Sequence, residues 1–202
     1  MIQAVLFDYG GVIGRLDHEE TGRLEQKYGL PPGGLFSALY QIPEWRELSL
    51  GRGSEKEWLK AVLERLYELA GRPIPGIRQE WPKIWRGLNE DVVSLVRSLR
   101  SRYKVGLLSN ATKDLEEMLL EHHGITDLFD AIINSARVGL AKPDVRIFHL
   151  AAERLGVPAS ACVFTDDLAH NVEGARAAGM RAFQFQDAAQ LESELRALGV
   201  DW

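Results

Sequence analysis

Only one cysteine, Cys162, stands among 202 residues, so neither an intrachain disulfide nor a cysteine-rich zinc site can organise this chain. No apolar run reaches the roughly 18–20 residues that cross a bilayer. A signal peptide is not expected either, because Asp8 interrupts the apolar N-terminal stretch. A basic excess is also missing: 24 Lys and Arg face 29 Asp and Glu, a net charge of -5. That balance argues against nucleic acid or an anionic membrane as partner. Internal repeats and low-complexity tracts are absent. What is present is 46% hydrophobic and 26% charged residues, enough to bury a core in one domain with a modest insert. The expectation is a cytoplasmic globular protein.

Five short segments, 3–7, 104–108, 131–134, 161–165 and 182–186, read as strands buried on both faces. Helical patterns separate them. Asn89 is placed to cap a helix through Leu99, and Thr112 to start one that stops at Gly124. Pro143 suits the first turn of a helix ending at Gly156, and Asp187 the cap of one closing at Gly199. Alternating strands and helices predict right-handed crossovers and a doubly wound, mainly parallel five-stranded α/β sheet. Residues 15–88 break the alternation, with helical patterns and no convincing strand. The clearest, 54–70, opens on the capping box Ser54-x-x-Glu57 and ends before Gly71. This segment carries 12 basic and 11 acidic residues, against 12 and 18 elsewhere, and holds four of the five tryptophans. It reads as a small helical cap (15–88) inserted into a core made of 1–14 and 89–202.

In an open α/β sheet, ligands bind beyond the carboxyl ends of the strands. The first polar residues there are Asp8 after the first strand, Ser109-Asn110 after the second and Asp166-Asp167 after the fourth. Lys142 stands before Pro143 at an expected helix start, where a cation opposes the macrodipole and calls for an anion. Singly, each has a bland explanation: a solvated strand end, a polar turn, an N-cap. Together they fit one task. Asp8 and Asp167 supply hard oxygen ligands for Mg²⁺, Lys142 and Ser109 hold phosphoryl oxygens, and Asp8 attacks phosphorus to give an aspartyl-phosphate that water hydrolyses.

The motifs resemble those of the haloacid dehalogenase superfamily. They are Ala4-Val5-Leu6-Phe7-Asp8-Tyr9-Gly10-Gly11-Val12, Leu107-Leu108-Ser109-Asn110, Gly139-Leu140-Ala141-Lys142-Pro143-Asp144, and Val163-Phe164-Thr165-Asp166-Asp167 with Asn171-Val172-Glu173-Gly174-Ala175 following. The resemblance covers essentially the whole chain, and the insert is similar to the family's helical C1-type cap, which closes over the site and selects substrate. It implies Asp8 as nucleophile and metal ligand, and Ser109, Asn110 and Lys142 as phosphate-binding residues. Gly10 would offer its backbone carbonyl to Mg²⁺, with Asp167 the main acidic ligand and Asp166 a neighbour or water-mediated one. Asn171 would stand behind them, and the substrate would be a small phosphorylated metabolite.

One position departs from the pattern. Phosphatases of this family usually carry a second aspartate two residues after the nucleophile, as general acid and base, and here Gly10 stands there. Such proton transfer is worth about 10²–10⁴-fold, a severe loss for poor leaving groups and a milder one for good ones such as anomeric or acyl phosphates. Asp17, His18 and Glu19 are nearby in sequence, but they read as the solvated start of a cap helix. Gly10 also motivates an alternative, a phosphate-binding or regulatory domain with little turnover. A 2-haloacid dehalogenase is a third possibility. There the acidic pair would be a liability, and Tyr9 lies one position before the family's tyrosine, turned to another side. A receiver domain is excluded by the order of its acidic residues and lysine. The pair His122-His123 has no further residue at metal-ligand spacing, and Cys162 reads as a small core residue. The cap tryptophans read mainly as packing.

Overall fold

The computed structural model describes residues 1–202. In chain order the elements are β1 (Ala4–Phe7), β2 (Gly14–Leu16), α1 (His18–Tyr28), α2 (Gly34–Tyr40), α3 (Pro43–Ser49), α4 (Glu55–Ala70) and α5 (Ile77–Glu80). There follow β3 (Trp85–Leu88), α6 (Glu90–Leu99), β4 (Lys104–Ser109), α7 (Leu115–Met118), β5 (Ala131–Asn134) and α8 (Ser135–Val138). The chain ends with α9 (Val145–Leu155), β6 (Cys162–Asp166), α10 (Ala169–Ala177), β7 (Arg181–Gln184) and α11 (Ala188–Ala197). The main sheet has the order β5-β4-β1-β6-β7, and every pairing in it is parallel.

Why β1 reads as an unbroken apolar run follows from the pleat. Val5 and Phe7 enter a buried cluster on one face of the sheet, while Ala4 and Leu6 enter another on the opposite face. The helices between β2 and β3 pack around a third cluster of their own, centred on Leu24, Leu35, Leu39, Val62, Leu66 and Ile74. The helical insert thus has its own apolar interior beside the α/β core.

The two ends of the insert carry strand pairing that the sequence pattern does not reveal. β2 and β3 form an antiparallel ribbon, with Gly14 opposite Leu88 and Leu16 opposite Trp85. These strands are three and four residues long and expose Arg15, Arg86 and Gly87, too short and too polar for an alternation to show. Helix starts differ as well. Asp144, not Pro143, sets the start of α9: its carboxylate accepts the Arg146 N–H at 3.0 Å and Pro143 precedes the cap. Asn89 occupies the N-cap of α6 without a side-chain hydrogen bond. Beyond Thr112, α7 begins only at Leu115 and widens into a π-helical turn over Leu119–His123 before Gly124. Ser54, in contrast, caps α4 by accepting from Glu57 N, and Asp187 caps α11 by accepting from Gln190 N.

Candidate active site

Because β1 lies between β4 and β6, the carboxyl ends of three adjacent strands bring Asp8, Ser109 and Asp166 to one edge. Asp8 continues the β1 ladder by donating its N–H to Thr165 O at 3.0 Å. Ligand oxygens of Asp8, Asp166 and Asp167 all lie within 4.8 Å of one another. Lys142 reaches in from the loop before α9, its Nζ 2.8 Å from Asp8 Oδ1 and 2.5 Å from Asp166 Oδ2. Asp8, Ser109, Lys142, Asp166 and Asn171 are all buried. Two carboxylates thus lie beside Lys142, which stands two residues before the Asp144 cap of α9.

The two acidic neighbours differ in what their oxygens do. Asp166 accepts from Leu168 N at 2.8 Å on Oδ1, from Lys142 on Oδ2, and from Asn171 Nδ2 at 3.0 and 3.1 Å on both. Its lone pairs are largely occupied. Asp167 is half-buried and receives no side-chain hydrogen bond from a neighbour. Asn171 Oδ1 is buried without a partner. Of the acidic pair, Asp167 is thus the residue whose oxygens are open to a cation.

The electrostatics carry the same message. Burial is the largest cause raising Asp8 from 3.8 to about 7, and Asp166 and Asp167 add to it against the pull of Lys142. Burial, then Asp166, lifts Asp167 to about 6. For Lys142, burial acts downward, but the Asp166 and Asp8 carboxylates outweigh it and hold the ammonium above its ordinary value. Three carboxylates around one ammonium leave an excess of negative charge, and the donor set is all oxygen. Both features suit a hard divalent cation such as Mg²⁺.

Local geometry explains how the loops hold these side chains. Asn110 donates Nδ2 to Lys142 O at 2.9 Å and accepts from Lys142 N on Oδ1 at 2.8 Å. Its side chain is committed at both ends to the Lys142 backbone and so fixes the position of that lysine. Ser109 ends β4, and the following turn is tied down where Ala111 N donates to Ser135 Oγ at 3.0 Å. Tyr9 donates its N–H to Asp8 Oδ1 at 2.7 Å while its ring turns away, the hydroxyl 3.1 Å from His123 Nε2. Asp17 is a helix cap, accepting from Glu20 N at 2.8 Å and pairing with Arg86 at 2.6 Å.

Three further residues, Gly11, Gly14 and Trp85, shape the first loop. Gly11 has φ +78°, and a Cβ there would fall 2.6 Å from Asp167 Oδ2, so this glycine lets the first loop close against the acidic pair. Of the adjacent glycines Gly10 and Gly11, it is Gly11 that is packed; the Cβ direction at Gly10 is nearly open. Trp85 supplies the only atom there, its Cη2 3.6 Å from a Cβ built on Gly10. Gly14 receives the Tyr9 ring, which a Cβ would meet at 2.9 Å.

A parallel α/β core with a helical insert and an aspartate at the end of its central strand defines a class. A family model described as haloacid dehalogenase-like hydrolase matches residues 2–179, and the chain belongs to that family of hydrolases. Among characterised relatives, the phosphatase MT3486 of Mycobacterium tuberculosis is 31% identical over 90% of this chain and 86% of its own length. The D-ribitol-5-phosphate phosphatase of Bacteroides thetaiotaomicron is 27% identical over 98% of each chain. A solved family enzyme from Bacteroides thetaiotaomicron, in complex with magnesium and inorganic phosphate, superposes with a TM-score of 0.68 at 22% identity. It covers 93% of this chain and 96% of that one, a likeness of fold.

Proposed function

We propose that this protein is a Mg²⁺-dependent phosphatase of a small phosphorylated metabolite, working through an aspartyl-phosphate on Asp8, with residues 15–88 as its cap. The observation that carries this is the cluster itself: a buried strand-end aspartate with its oxygens within 4.8 Å of those of the Asp166-Asp167 pair and 2.8 Å from a buried lysine. The relatives named as phosphatases, and the magnesium and phosphate held by the solved neighbour, support it.

Asp8, Asp167 and the Gly10 carbonyl would hold Mg²⁺, with Asp166 reaching it through water because its oxygens are already engaged. When bound, the ion supplies positive charge against which a phosphate dianion can approach three carboxylates. Lys142 and Ser109 steady the phosphoryl oxygens. Lys142 and Tyr9 N hold Asp8 Oδ1, which fixes the carboxylate for in-line attack on phosphorus. As the Asp8–phosphorus bond forms, the ester P–O bond breaks, and the departing oxygen takes its proton from solvent because residue 10 carries no acid. Water then attacks phosphorus, releasing inorganic phosphate and returning Asp8 as a carboxylate.

Hydrolysis of p-nitrophenyl phosphate, whose leaving group needs no acid, tests this directly. Turnover that requires Mg²⁺ and disappears in Asp8→Asn is the expected result. Rates at background in every sample would instead favour a phosphate-binding domain, for which Gly10 is the specific observation.

A further inference from the structure

A side chain at position 10 would point into open space with a single surface beside it. Apart from its chain neighbours, the only heavy atom within 4 Å of a Cβ built on Gly10 is Cη2 of Trp85, at 3.6 Å. Gly10 lies two residues from Asp8, so this indole borders the free space next to the proposed nucleophile's loop. Trp85 is half-buried and is placed by the β2–β3 ribbon, opposite Leu16. With Tyr40 it is one of the half-buried residues packed against the apolar cluster of the helical insert. From Tyr40 the aromatic surface continues to Phe36 and Trp45, each with ring centroids 5.1 Å from it.

We propose that Trp85 is a specificity-determining residue, forming an aromatic wall that selects phosphate esters whose leaving group is a flat aromatic ring. The proposal rests on the phosphatase reading and deepens it. Two independent arguments lead to the same class. Beyond residues 9–11, the only atom within 4 Å of a Cβ at position 10 is a ring carbon of this indole, so a polyol pressed on that face would lose water without compensation, whereas a flat ring gains contact with it. Separately, position 10 supplies no proton, and a phenol-type oxygen with a pKa of about 10 departs as an anion far more readily than an alkoxide.

Binding is measured rather than turnover, so that this proposal and the phosphatase reading can fail separately. Calorimetric titration of phenylphosphonate and methylphosphonate, with Mg²⁺ present, is run on the wild-type chain, Trp85→Phe and Trp85→Ala. Thermal melts confirm that each variant is folded. The expected result is that wild type prefers phenylphosphonate by about tenfold, Trp85→Phe keeps most of that preference, and Trp85→Ala removes it while methylphosphonate is unaffected. Equal affinities in wild type, no binding of either ligand, or a preference that survives Trp85→Ala would overturn the proposal. If the preference holds but p-nitrophenyl phosphate is not hydrolysed, the wall stands and the phosphatase reading falls.

Discussion

Lys142 lies buried between Asp8 and Asp166, a position where removing the cation leaves two carboxylates facing each other without compensation. Breaking such a buried group by deleting one partner costs about 3–5 kcal/mol. Lys142→Met is therefore expected to lower the melting temperature clearly in metal-free buffer and to abolish turnover. Added Mg²⁺ should restore part of the stability but not the activity. Gly10 gives a prediction of the opposite sign. Apart from its chain neighbours, a Cβ at that position meets nothing closer than 3.6 Å, so Gly10→Asp fits the backbone and places a proton donor two residues from Asp8, the proposed nucleophile. Steady-state kinetics should show its kcat rising by at least tenfold on alkyl phosphates, within the roughly 10²–10⁴-fold range of acid–base catalysis, and rising on p-nitrophenyl phosphate as well, there only through faster hydrolysis of the aspartyl-phosphate. At this scale the sequence is most informative where Asp8, Ser109 and the acidic pair stand as polar residues at strand ends, beside an apolar run that makes them conspicuous, while Lys142 stands out in the loop before α9. Sequence spacing does not show that the Asn110 amide grips the Lys142 backbone across 32 positions of chain. Trp85 could not be found that way at all, since its contact with Gly10 crosses 75 positions of chain.

Among the elements, the strands of the core were legible because burial on both faces leaves an uninterrupted apolar segment, as in β1. The β2–β3 ribbon was not, since its pairing joins residues at the two ends of the insert and its exposed positions are charged. The cap meets the core at another small residue. Gly51, in the loop after α3, has φ +74°, and a Cβ there would lie 2.2 Å from the Ala136 carbonyl oxygen at the start of α8. Gly51→Ala should push this loop off the core. The expected outcome is a fall of about tenfold in kcat/KM with a stability loss of about 1–3 kcal/mol, the scale of a non-glycine residue held at positive φ, read from kinetics and denaturant melts together. Ser54→Ala serves as the contrast. It removes the α4 cap far from the carboxylates and should cost about 1 kcal/mol with kcat unchanged.

For the whole molecule, the raised carboxyls tie folding to pH and to metal. Between the ordinary value of 3.8 and about 7, folded Asp8 keeps a proton that the unfolded chain has released. Metal-free stability from this group therefore falls as pH rises through that window, and Asp167, raised to about 6, acts in the same direction. Urea titrations from pH 5 to 8 should show this decline, and Asp8→Asn should flatten it. Mg²⁺ binds the deprotonated carboxylates, so the stabilisation it gives should grow over the same range. A stability gain from Mg²⁺ that is constant with pH would contradict the assignment of these carboxylates as its ligands.

The central claim is that Asp8 attacks phosphorus, and trapping the intermediate tests it most directly. Without an acid–base group at position 10, water's attack on the aspartyl-phosphate is unassisted, so the intermediate should accumulate during turnover. p-Nitrophenyl phosphate is mixed with enzyme and Mg²⁺, quenched in acid, and the phosphoryl group mapped by mass spectrometry. The account predicts an acid-stable, base-labile phosphoryl group on the peptide containing Asp8, absent without Mg²⁺ and absent in Asp8→Asn. Phosphoryl transfer to any other residue, or turnover that survives Asp8→Asn, would contradict it.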